Sequence, residues 1–441
     1  MPRWMRDTYL GAAVFTLFLV TTNPYEPSGD TVAVNFAGWR LAMFGDQNLT
    51  EFAGSPWIFP TEDGTHAAFR HAGPILVAAF FFRLLGSSGQ VTTFPSIVAP
   101  AMVTALAVLV MLHVLERILP LRQALIATAI FTFATATWSV SADQMWTHGP
   151  AQLGCALSLL FLSRRQHLLA GLALGFAITM RPHLAVAALV MGMYLGWRYR
   201  KLGTVVLFGL GSALGVVVLV AFNYWVHGSI SPVAPYEEMA DARLGSAHYL
   251  YIDLPLNVLG NAVSPLRGIL WVMPWLLLLA PGLRSAWKIA PPWIRAGGLG
   301  SLAYFVAQLL ANYFTGGWGF YGNRLVLESL TLTAPLLVLC WTTWSSQTPA
   351  RRIWFTALAG YAITTHTLAA ILPWGPGYEP PWTTFLIVDA VRESPSTAIA
   401  VGVIGTIGTV AACRWVRSWQ PQYSTQESTQ DADLAQPGPM T

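Results

Sequence analysis

The chain has 441 residues, of which 54% are hydrophobic and only 10% are charged, with a mean hydropathy of +0.52 and a net charge of +4. Soluble domains carry about a quarter charged residues, so this composition excludes a soluble globular protein and indicates a polytopic membrane protein. The small net charge and the lack of a basic cluster with interleaved aromatic residues exclude nucleic acid as a partner.

The first apolar stretch covers residues 8–23 and follows Arg3 and Arg6. No small-residue cleavage site precedes Pro24, so we interpret this stretch as a retained first membrane span rather than a signal peptide. Twelve more apolar segments follow, at 72–88, 95–116, 123–140, 150–163, 168–180, 184–197, 203–226, 268–283, 297–314, 325–344, 353–373 and 396–413.

The basic residues of the short loops predict the orientation, because cytoplasmic loops collect Arg and Lys. These residues are Arg117, Arg122, Arg164, Arg165, Arg198, Arg200, Lys201, Arg284, Lys288, Arg295, Arg351, Arg352, Arg414 and Arg417. All of them lie on the same side of the membrane as the N-terminus only if segment 72–88 does not cross the membrane. That segment starts with Gly73-Pro74 and contains Arg83, so we expect a helix that lies on the outer face.

The predicted fold class is therefore an all-α polytopic membrane protein with about 12 transmembrane helices and an outer-face juxtamembrane helix. The protein is expected in the cytoplasmic membrane of a bacterium, with both termini on the cytoplasmic side. We predict one transmembrane domain over 1–419, with outer loops 24–94, 141–149, 227–266, 315–324 and 374–395. The tail 420–441 is rich in Ser, Thr, Gln, Asp and Pro, which is typical of a disordered cytoplasmic segment.

Three arginines break the orientation rule, because Arg181, Arg267 and Arg324 map to outer helix ends. Arg181 lies in a polar break between the two short spans 168–180 and 184–197, which belongs at the floor of a cavity. An ionisable group in a membrane region is a candidate functional residue, and the planar guanidinium suits a phosphate. The alternative is a structural ion pair, such as Arg324 with Glu328 one turn later.

Asp30 is the strongest acidic candidate, because it stands at the outer end of the first span, in Tyr25-Glu26-Pro27-Ser28-Gly29-Asp30. A carboxylate there can accept the proton of a sugar hydroxyl while that oxygen attacks. Asp143 is the second choice. His148 could bind a phosphate or cap the next helix. Asp30 with Asp143 or Glu51 could hold a divalent cation, although no ligand spacing requires one.

Several further residues of the outer loops are candidates for contact with the acceptor or the sugar. A polar cluster precedes Gly73-Pro74, and tryptophans can stack on sugar rings or anchor the chain at the membrane interface. Most loop acids can equally be solvated charges. The set comprises Asp143, His66, Arg70, His71, Trp57, Trp146, Trp318, Tyr321 and Glu237.

In their order and spacing, these elements resemble the GT-C superfamily. Its members are multi-span glycosyltransferases that use polyprenyl-phosphate sugars, and they include bacterial aminoarabinose, arabinofuranosyl and mannosyl transferases. The resemblance covers about residues 8–344. The matching elements are Asp30 after span one, His71 to Pro74, Gly171 and Gly175 before Arg181-Pro182, Asn223-Tyr224 with His227 to Ser229, Ser264 to Ile269, and Gly316 to Arg324.

The resemblance implies an inverting glycosyltransferase whose active site faces outward. Asp30 would be the base, and Arg324 and Arg181, with Arg267 and His148, would hold the donor phosphate. The donor would be a polyprenyl-phosphate-linked sugar from the bilayer, such as arabinofuranose or mannose, and the acceptor a glycan, a lipid or a protein. Several family members have an acidic pair where this chain has one acid, so the cofactor expectation stays at no certain cofactor, with a divalent cation allowed.

Two other readings share parts of this pattern. A lipid-linked sugar transporter or flippase fits twelve spans, but it predicts internal repeats, and none is apparent in the sequence. A polysaccharide ligase or polymerase shares the outer arginines, but it does not need an acid after span one. The resemblance also departs from members with a soluble domain after the last span, so the outer loops are expected to recognise the acceptor.

Overall fold

The computed structural model describes residues 1–22, 28–61, 63–86, 89–237, 241–242, 245–312, 320–371 and 381–417. The described chain is almost entirely helical, which confirms the all-α polytopic fold class. The tail 420–441, residues 316–319 of the Gly316–Arg324 element, which include Trp318, and residues 374–380 of loop 374–395 lie outside the described residues.

Nine helices form the first half of the described chain. They are α1 (Arg3–Thr21), α2 (Gly29–Phe44), α3 (Ala72–Leu84), α4 (Phe94–Leu115), α5 (Leu121–Phe133), α6 (His148–Ser163), α7 (His167–Met180), α8 (Leu184–Tyr199) and α9 (Leu202–His227). Two short strands, β1 (Ile58–Pro60) and β2 (His66–Ala68), form an antiparallel hairpin between α2 and α3.

Eight helices follow in the second half. They are α10 (Leu254–Val263), α11 (Ile269–Val272), α12 (Leu283–Ile289), α13 (Pro292–Ala311), α14 (Leu327–Thr343), α15 (Pro349–Ile371), α16 (Leu386–Glu393) and α17 (Pro395–Arg417). Short 3₁₀ turns precede α10 and α14, at Ala234–Tyr236 and Arg324–Val326.

Helix α2 is the main element that the sequence analysis missed, since it predicted an outer loop over these residues. Ser28 caps its start, where the Ser28 side chain accepts a hydrogen bond from the Asp30 backbone N–H. Gly45 ends it in the left-handed conformation with φ 74°, which glycine adopts without steric cost. The segment predicted as the first outer loop therefore contains a helix and a hairpin over the residues that the structure describes.

Two predicted spans are interrupted. Segment 123–140 ends as α5 at Phe133 and continues as a π-helical turn over Thr137–Ser141. Segment 268–283 consists of α11 and two 3₁₀ turns, Pro274–Leu278 and Ala280–Gly282. Pro274 and Pro281 lack the backbone N–H that a continuous helix needs, which explains the second interruption.

By length and composition, four of the described helical segments can cross a membrane: Phe94–Leu115, Leu202–His227, Pro292–Ala311 and Arg324–Gln347. On α9, Leu210, Leu214 and Val217 expose 62%, 53% and 60% of their surface. Such an apolar face is stable against lipid and not against water. The 13-residue α3 is shorter than the roughly 20 residues that a span needs.

Close helix contacts bring the candidate residues together. Gly171 and Gly175 of α7 face Gly211 and Gly215 of α9, and a Cβ on Gly215 would meet the Gly175 carbonyl oxygen at 2.0 Å. Small residues four apart let two membrane helices approach this closely. At Gly73 a Cβ would meet the Thr179 carbonyl oxygen at 2.7 Å, so the start of α3 touches the end of α7 just before Arg181.

Candidate active site

Asp30 lies in the first turn of α2 and not on the end of α1, which stops at Thr21. A helix N-terminus favours a carboxylate, because the first backbone N–H groups are unpaired within the helix and carry partial positive charge. The side chain is 24% exposed. The helix therefore presents an accessible carboxylate at a fixed position.

Arg70 is the first partner of Asp30. Its guanidinium bonds to the Asp30 carboxylate and, at 3.3 Å, to the Asp30 carbonyl oxygen. It also donates to the Tyr236 hydroxyl at 2.5 Å and lies over the Trp57 ring, 4.3 Å from its centroid. The β-hairpin positions this arginine, because the Phe69 N–H donates to the Trp57 carbonyl oxygen at 2.9 Å.

Arg324 is the second partner. Its Nη1 donates to Asp30 Oδ2 at 3.0 Å, and its guanidinium lies 4.7 Å from the ring centroids of both Trp146 and Phe320. Asn323 begins the 3₁₀ turn by accepting a hydrogen bond from the Leu325 N–H. The alternative that Arg324 pairs with Glu328 one turn later is wrong, since Arg324 reaches across the fold to α2.

Glu328 instead belongs to a second, deeper pair with Arg181. Its Oε1 lies 3.7 Å from Arg181 Nε and 2.9 Å from His148 Nδ1, and the Tyr304 hydroxyl donates to Oε2 at 2.8 Å. Arg181 Nη2 lies 2.8 Å from His148 Nε2. Glu328, His148 and Tyr304 are at most 1% exposed, so this network is shielded from solvent.

Arg267 joins the site through an aromatic ring. It is 2% exposed, and its guanidinium lies 3.9 Å from the centroid of Phe320, the ring that Arg324 also contacts. The Ser264 turn holds this arginine in place, because the Leu266 N–H donates to Ser264 Oγ at 3.2 Å. The three arginines that break the orientation rule therefore meet in one region, together with Arg70.

The electrostatics of this region favour an ionised Asp30. Burial alone would raise the pKa of the Asp30 carboxyl, but the charges of Arg70 and then Arg324 outweigh it and hold the pKa below the ordinary value of 3.8. The network of contacts among the described residues contains four guanidinium groups and two carboxylates. This arrangement attracts an additional anion.

Other predicted residues lie around this network or outside it. Gln144 accepts a hydrogen bond from Thr31 at 2.8 Å, which places the half-buried Asp143 segment beside the start of α2. The His71 ring packs against Tyr236 at 5.0 Å. Tyr321 is buried, and its ring contacts His366 at 5.3 Å.

Three further candidate residues lie outside this network of contacts. His66 lies in β2, where its carbonyl oxygen accepts from the Leu49 N–H at 2.7 Å and supports the hairpin. Glu237 is exposed at the end of its 3₁₀ turn. Glu51 forms an ion pair with Arg40 at 3.3 Å, so it does not join Asp30 as a cation ligand.

The described residues also contain no group of three or more His, Cys, Asp or Glu side chains placed to hold a metal ion. Asp30 pairs with Arg70 and Arg324. The cation option of the sequence analysis therefore finds no ligand set in the described part of the chain.

The sequence analysis missed Glu328, Tyr304, Tyr236 and Phe320 as parts of the site. Glu328 carried a usable signal, because it is an acid inside the apolar segment 325–344, and ionisable residues in such segments mark functional sites. Tyr304, Tyr236 and Phe320 gave no local signal, since aromatic residues are common throughout this chain.

Comparison with known proteins gives a fold and no sequence family. No protein-family model matches the chain, and no curated protein matches it. Among solved structures, it is similar to ArnT from Cupriavidus metallidurans bound to undecaprenyl phosphate, with a TM-score of 0.50, 15% identity, and coverage of 93% of this chain and 76% of ArnT.

A second solved structure is the Archaeoglobus fulgidus oligosaccharyltransferase in complex with zinc and sulfate, with a TM-score of 0.46, 11% identity, and coverage of 89% of this chain and 53% of that one. At such identities the likeness is one of fold. The chain therefore has a fold similar to that of ArnT, in agreement with the GT-C-type fold that the sequence motifs predicted.

Proposed function

We propose that this chain is an inverting glycosyltransferase that moves a sugar from a polyprenyl-phosphate donor to an acceptor hydroxyl at the outer face of a bacterial cytoplasmic membrane. The observation that carries the proposal is the Asp30 carboxylate held between Arg70 and Arg324. A base for the acceptor and cations for the leaving phosphate then stand side by side, in a chain with the GT-C fold.

The arginines supply the phosphate site of this proposal. Guanidinium groups make two parallel charge-assisted hydrogen bonds to a phosphate. Arg324 and Arg181 are the main candidates, because both lie next to Asp30 and the Arg181 charge contributes to lowering the Asp30 pKa. Arg267 would support them from behind Phe320. These groups would stabilise the negative charge that develops on the leaving phosphate.

An apolar cavity of about 540 Å³ beside the site suits the lipid chain of the donor. It lies between α3, α4, α7 and α9, and its lining includes Gly73, Thr179 and Met180. Met180 directly precedes Arg181, so a lipid chain in this cavity would bring its phosphate to the arginines. ArnT, which has this fold, is bound to undecaprenyl phosphate in its solved structure.

The reaction would proceed by direct displacement. The acceptor oxygen forms a bond to the anomeric carbon, the bond between that carbon and the phosphate oxygen breaks, and polyprenyl phosphate leaves. The acceptor proton goes to Asp30 Oδ1 or Oδ2. Arg324 bonds to Asp30 in the structure, and a bound phosphate would compete for that guanidinium. Loss of this positive neighbour would make Asp30 a stronger base when the donor is present.

The test is a transfer assay with purified protein, radiolabelled polyprenyl-phosphate sugars and a lipid-extract acceptor pool, with and without EDTA. The donor panel should include arabinofuranose, mannose and glucose. We expect a glycosidic product from one donor in the wild type and none from Asp30→Asn. Asp46→Asn is the matched control, because Asp46 is an acid near the end of the same helix that pairs with Arg40.

Movement of the intact lipid-linked sugar across proteoliposomes without any glycosidic product would overturn the proposal and favour the carrier reading. Normal product formation by Asp30→Asn would remove Asp30 as the base while leaving the enzyme class in place. Loss of transfer with EDTA would show that a cation takes part in the reaction.

A further inference from the structure

A chain of buried polar groups lies directly behind Arg181, and the proposed reaction does not use it. Glu328 on α14 bonds to His148 at the start of α6 and to Tyr304 on α13. His148 in turn bonds to Arg181 at the end of α7. Four different elements therefore contribute one side chain each to a site that is almost fully buried.

The chemistry of the partners determines the state of His148. A carboxylate accepts hydrogen bonds only, and a guanidinium donates only. Arg181 Nη2 lies 2.8 Å from His148 Nε2 and 3.2 Å from Nδ1, and Nδ1 lies 2.9 Å from Glu328 Oε1. Because Nδ1 has to donate to the carboxylate, the nearer nitrogen Nε2 accepts from Arg181. This requires the neutral imidazole with its proton on Nδ1. Both ring nitrogens are then occupied, so His148 is not left with an atom for a phosphate.

We propose that Glu328 and His148 are positioning residues, which orient the Arg181 guanidinium toward the donor phosphate. The Glu328 carboxylate fixes the tautomer of His148, and His148 Nε2 then fixes one nitrogen of Arg181. Tyr304 holds the other carboxylate oxygen at 2.8 Å. This inference rests on the proposed phosphate site and changes the role of His148 from a phosphate ligand to a support for Arg181.

This buried network contributes little to stability for the solvation energy that it costs. Buried ionic networks lose hydration, and apolar side chains of similar volume often give equal or greater stability. Arg181 itself retains 12% exposure while Glu328 has none, so the fully buried carboxylate supports an arginine that is only partly buried. A carboxylate that orients a histidine is a common device for directing the group on the far side of the ring.

Binding of undecaprenyl phosphate to purified protein in detergent tests this inference without relying on catalysis. Glu328→Gln should raise the Kd about 10-fold, because the amide can present N–H₂ to His148 and favour the wrong tautomer. His148→Gln should cause a similar loss, since one side chain cannot reproduce both bonds. Tyr304→Phe should cause a smaller loss, because the carboxylate stays in place.

The decisive comparison is the double variant Glu328→Gln/Arg181→Ala. If Glu328 acts through Arg181, the double variant binds no worse than Arg181→Ala alone, because neighbours in one network are not additive. Additive losses overturn the inference. Glu116→Gln is the matched control, since Glu116 also bonds a histidine and an arginine but lies in a different cluster.

Two further outcomes keep the inference separate from the proposed function. A wild-type protein that does not bind undecaprenyl phosphate overturns both. A wild type that binds, with unchanged Kd in Glu328→Gln and Tyr304→Phe, overturns the positioning role alone. ¹⁵N-histidine NMR, with His148→Gln used for assignment, should show a neutral ring protonated at Nδ1, and a doubly protonated ring contradicts the inference.

Discussion

Two ionic networks in this molecule use the same residue types and differ in their surroundings. One joins Arg3 and Arg6 of α1 to Glu116 after α4, with His113 beside them. The other joins Asp30 to Arg70 and Arg324, with the Arg181 network next to it. In the first network the Arg3 side chain is 60% exposed, although Arg6 and Glu116 are 15% and 14% exposed, whereas in the second network Arg70, Arg324 and Asp30 are 7%, 14% and 24% exposed.

The comparison distinguishes a structural ion-pair cluster from the candidate active site. An ion pair with an exposed partner such as Arg3 contributes little, and the first network ties the start of α1 to the end of α4. The second gathers Asp30, Arg70 and Arg324 beside the rings of Trp57, Trp146 and Phe320. Such an arrangement costs solvation energy, so it is better explained by chemistry than by stability.

The largest effect should come from the centre of the buried network. Asp30→Asn should lower the transfer rate about 10²- to 10⁴-fold, because the amide cannot accept the acceptor proton. Single-turnover assays with the radiolabelled donor measure it. The transfer rate of Asp46→Asn should stay within about 2-fold of the wild type, because Asp46 pairs with Arg40 and exposed ion pairs contribute little. Near-normal turnover in Asp30→Asn would place the base elsewhere.

Arg324→Ala should lower kcat/KM for the donor about 10²-fold, since one charge that stabilises the leaving phosphate is removed. The KM of the acceptor should change little. The measurement is a pair of steady-state titrations, one for each substrate. Equal losses for donor and acceptor contradict a phosphate role. Arg3→Ala, taken from the first network, is the control. It should leave the donor kcat/KM and the acceptor KM unchanged.

The pH dependence of transfer should report the ionisation of Asp30. Because the folded pKa of Asp30 is lowered, its carboxylate stays ionised as the pH falls to its ordinary value of 3.8, and the stability from its pairing is lost only below that. Arg70→Gln removes a positive charge beside Asp30. It should therefore shift the acid limb of the kcat/KM profile toward higher pH. An unchanged limb means that Asp30 does not control it.

Gly73→Ala should destabilise the contact that brings α3 to Arg181. The new methyl would meet the Thr179 backbone, and such overpacking costs about 1–3 kcal/mol. The unfolding midpoint in detergent and donor binding should fall together. Gly203→Ala on α9 is the matched control, because nothing lies within 4 Å of its Cβ position.

The smallest effect belongs to Arg3, the exposed member of the first network. Arg3→Ala should change the free energy of unfolding by less than about 1 kcal/mol, as measured for exposed ion pairs. Chemical denaturation in mixed micelles can measure this difference. A loss comparable to that of Gly73→Ala would show that the N-terminal cluster is more than a surface anchor.

Much of the site could be predicted one residue at a time. Asp30, Arg181, Arg267 and Arg324 were each identified from charge in an apolar context. Their pairing could not be predicted, because Asp30 and Arg324 are 294 positions apart and local patterns carry no information over that distance. The alternative drawn from local spacing, an ion pair of Arg324 with Glu328, is wrong, because Arg324 pairs with Asp30 instead.

The fold shows the same division. Hydrophobic segments predicted most helices to within a few residues, but α2 lies in a segment of mixed polarity and was missed. The breaks within 123–140 and 268–283 were also missed, although Pro274 and Pro281 were visible in the sequence. Apolar runs identify burial in lipid and do not show whether the backbone stays helical throughout.

The sequence by itself determined that this chain is an all-α membrane protein with ionisable residues at exceptional positions, because composition and hydrophobic periodicity act locally. Tertiary structure alone decided that Arg70 and Arg324 share Asp30 and that Glu328 and His148 hold Arg181. Those pairings arise where α2, α6, α7 and the start of α14 meet, and the close contacts at Gly73 and between α7 and α9 fix where that meeting occurs.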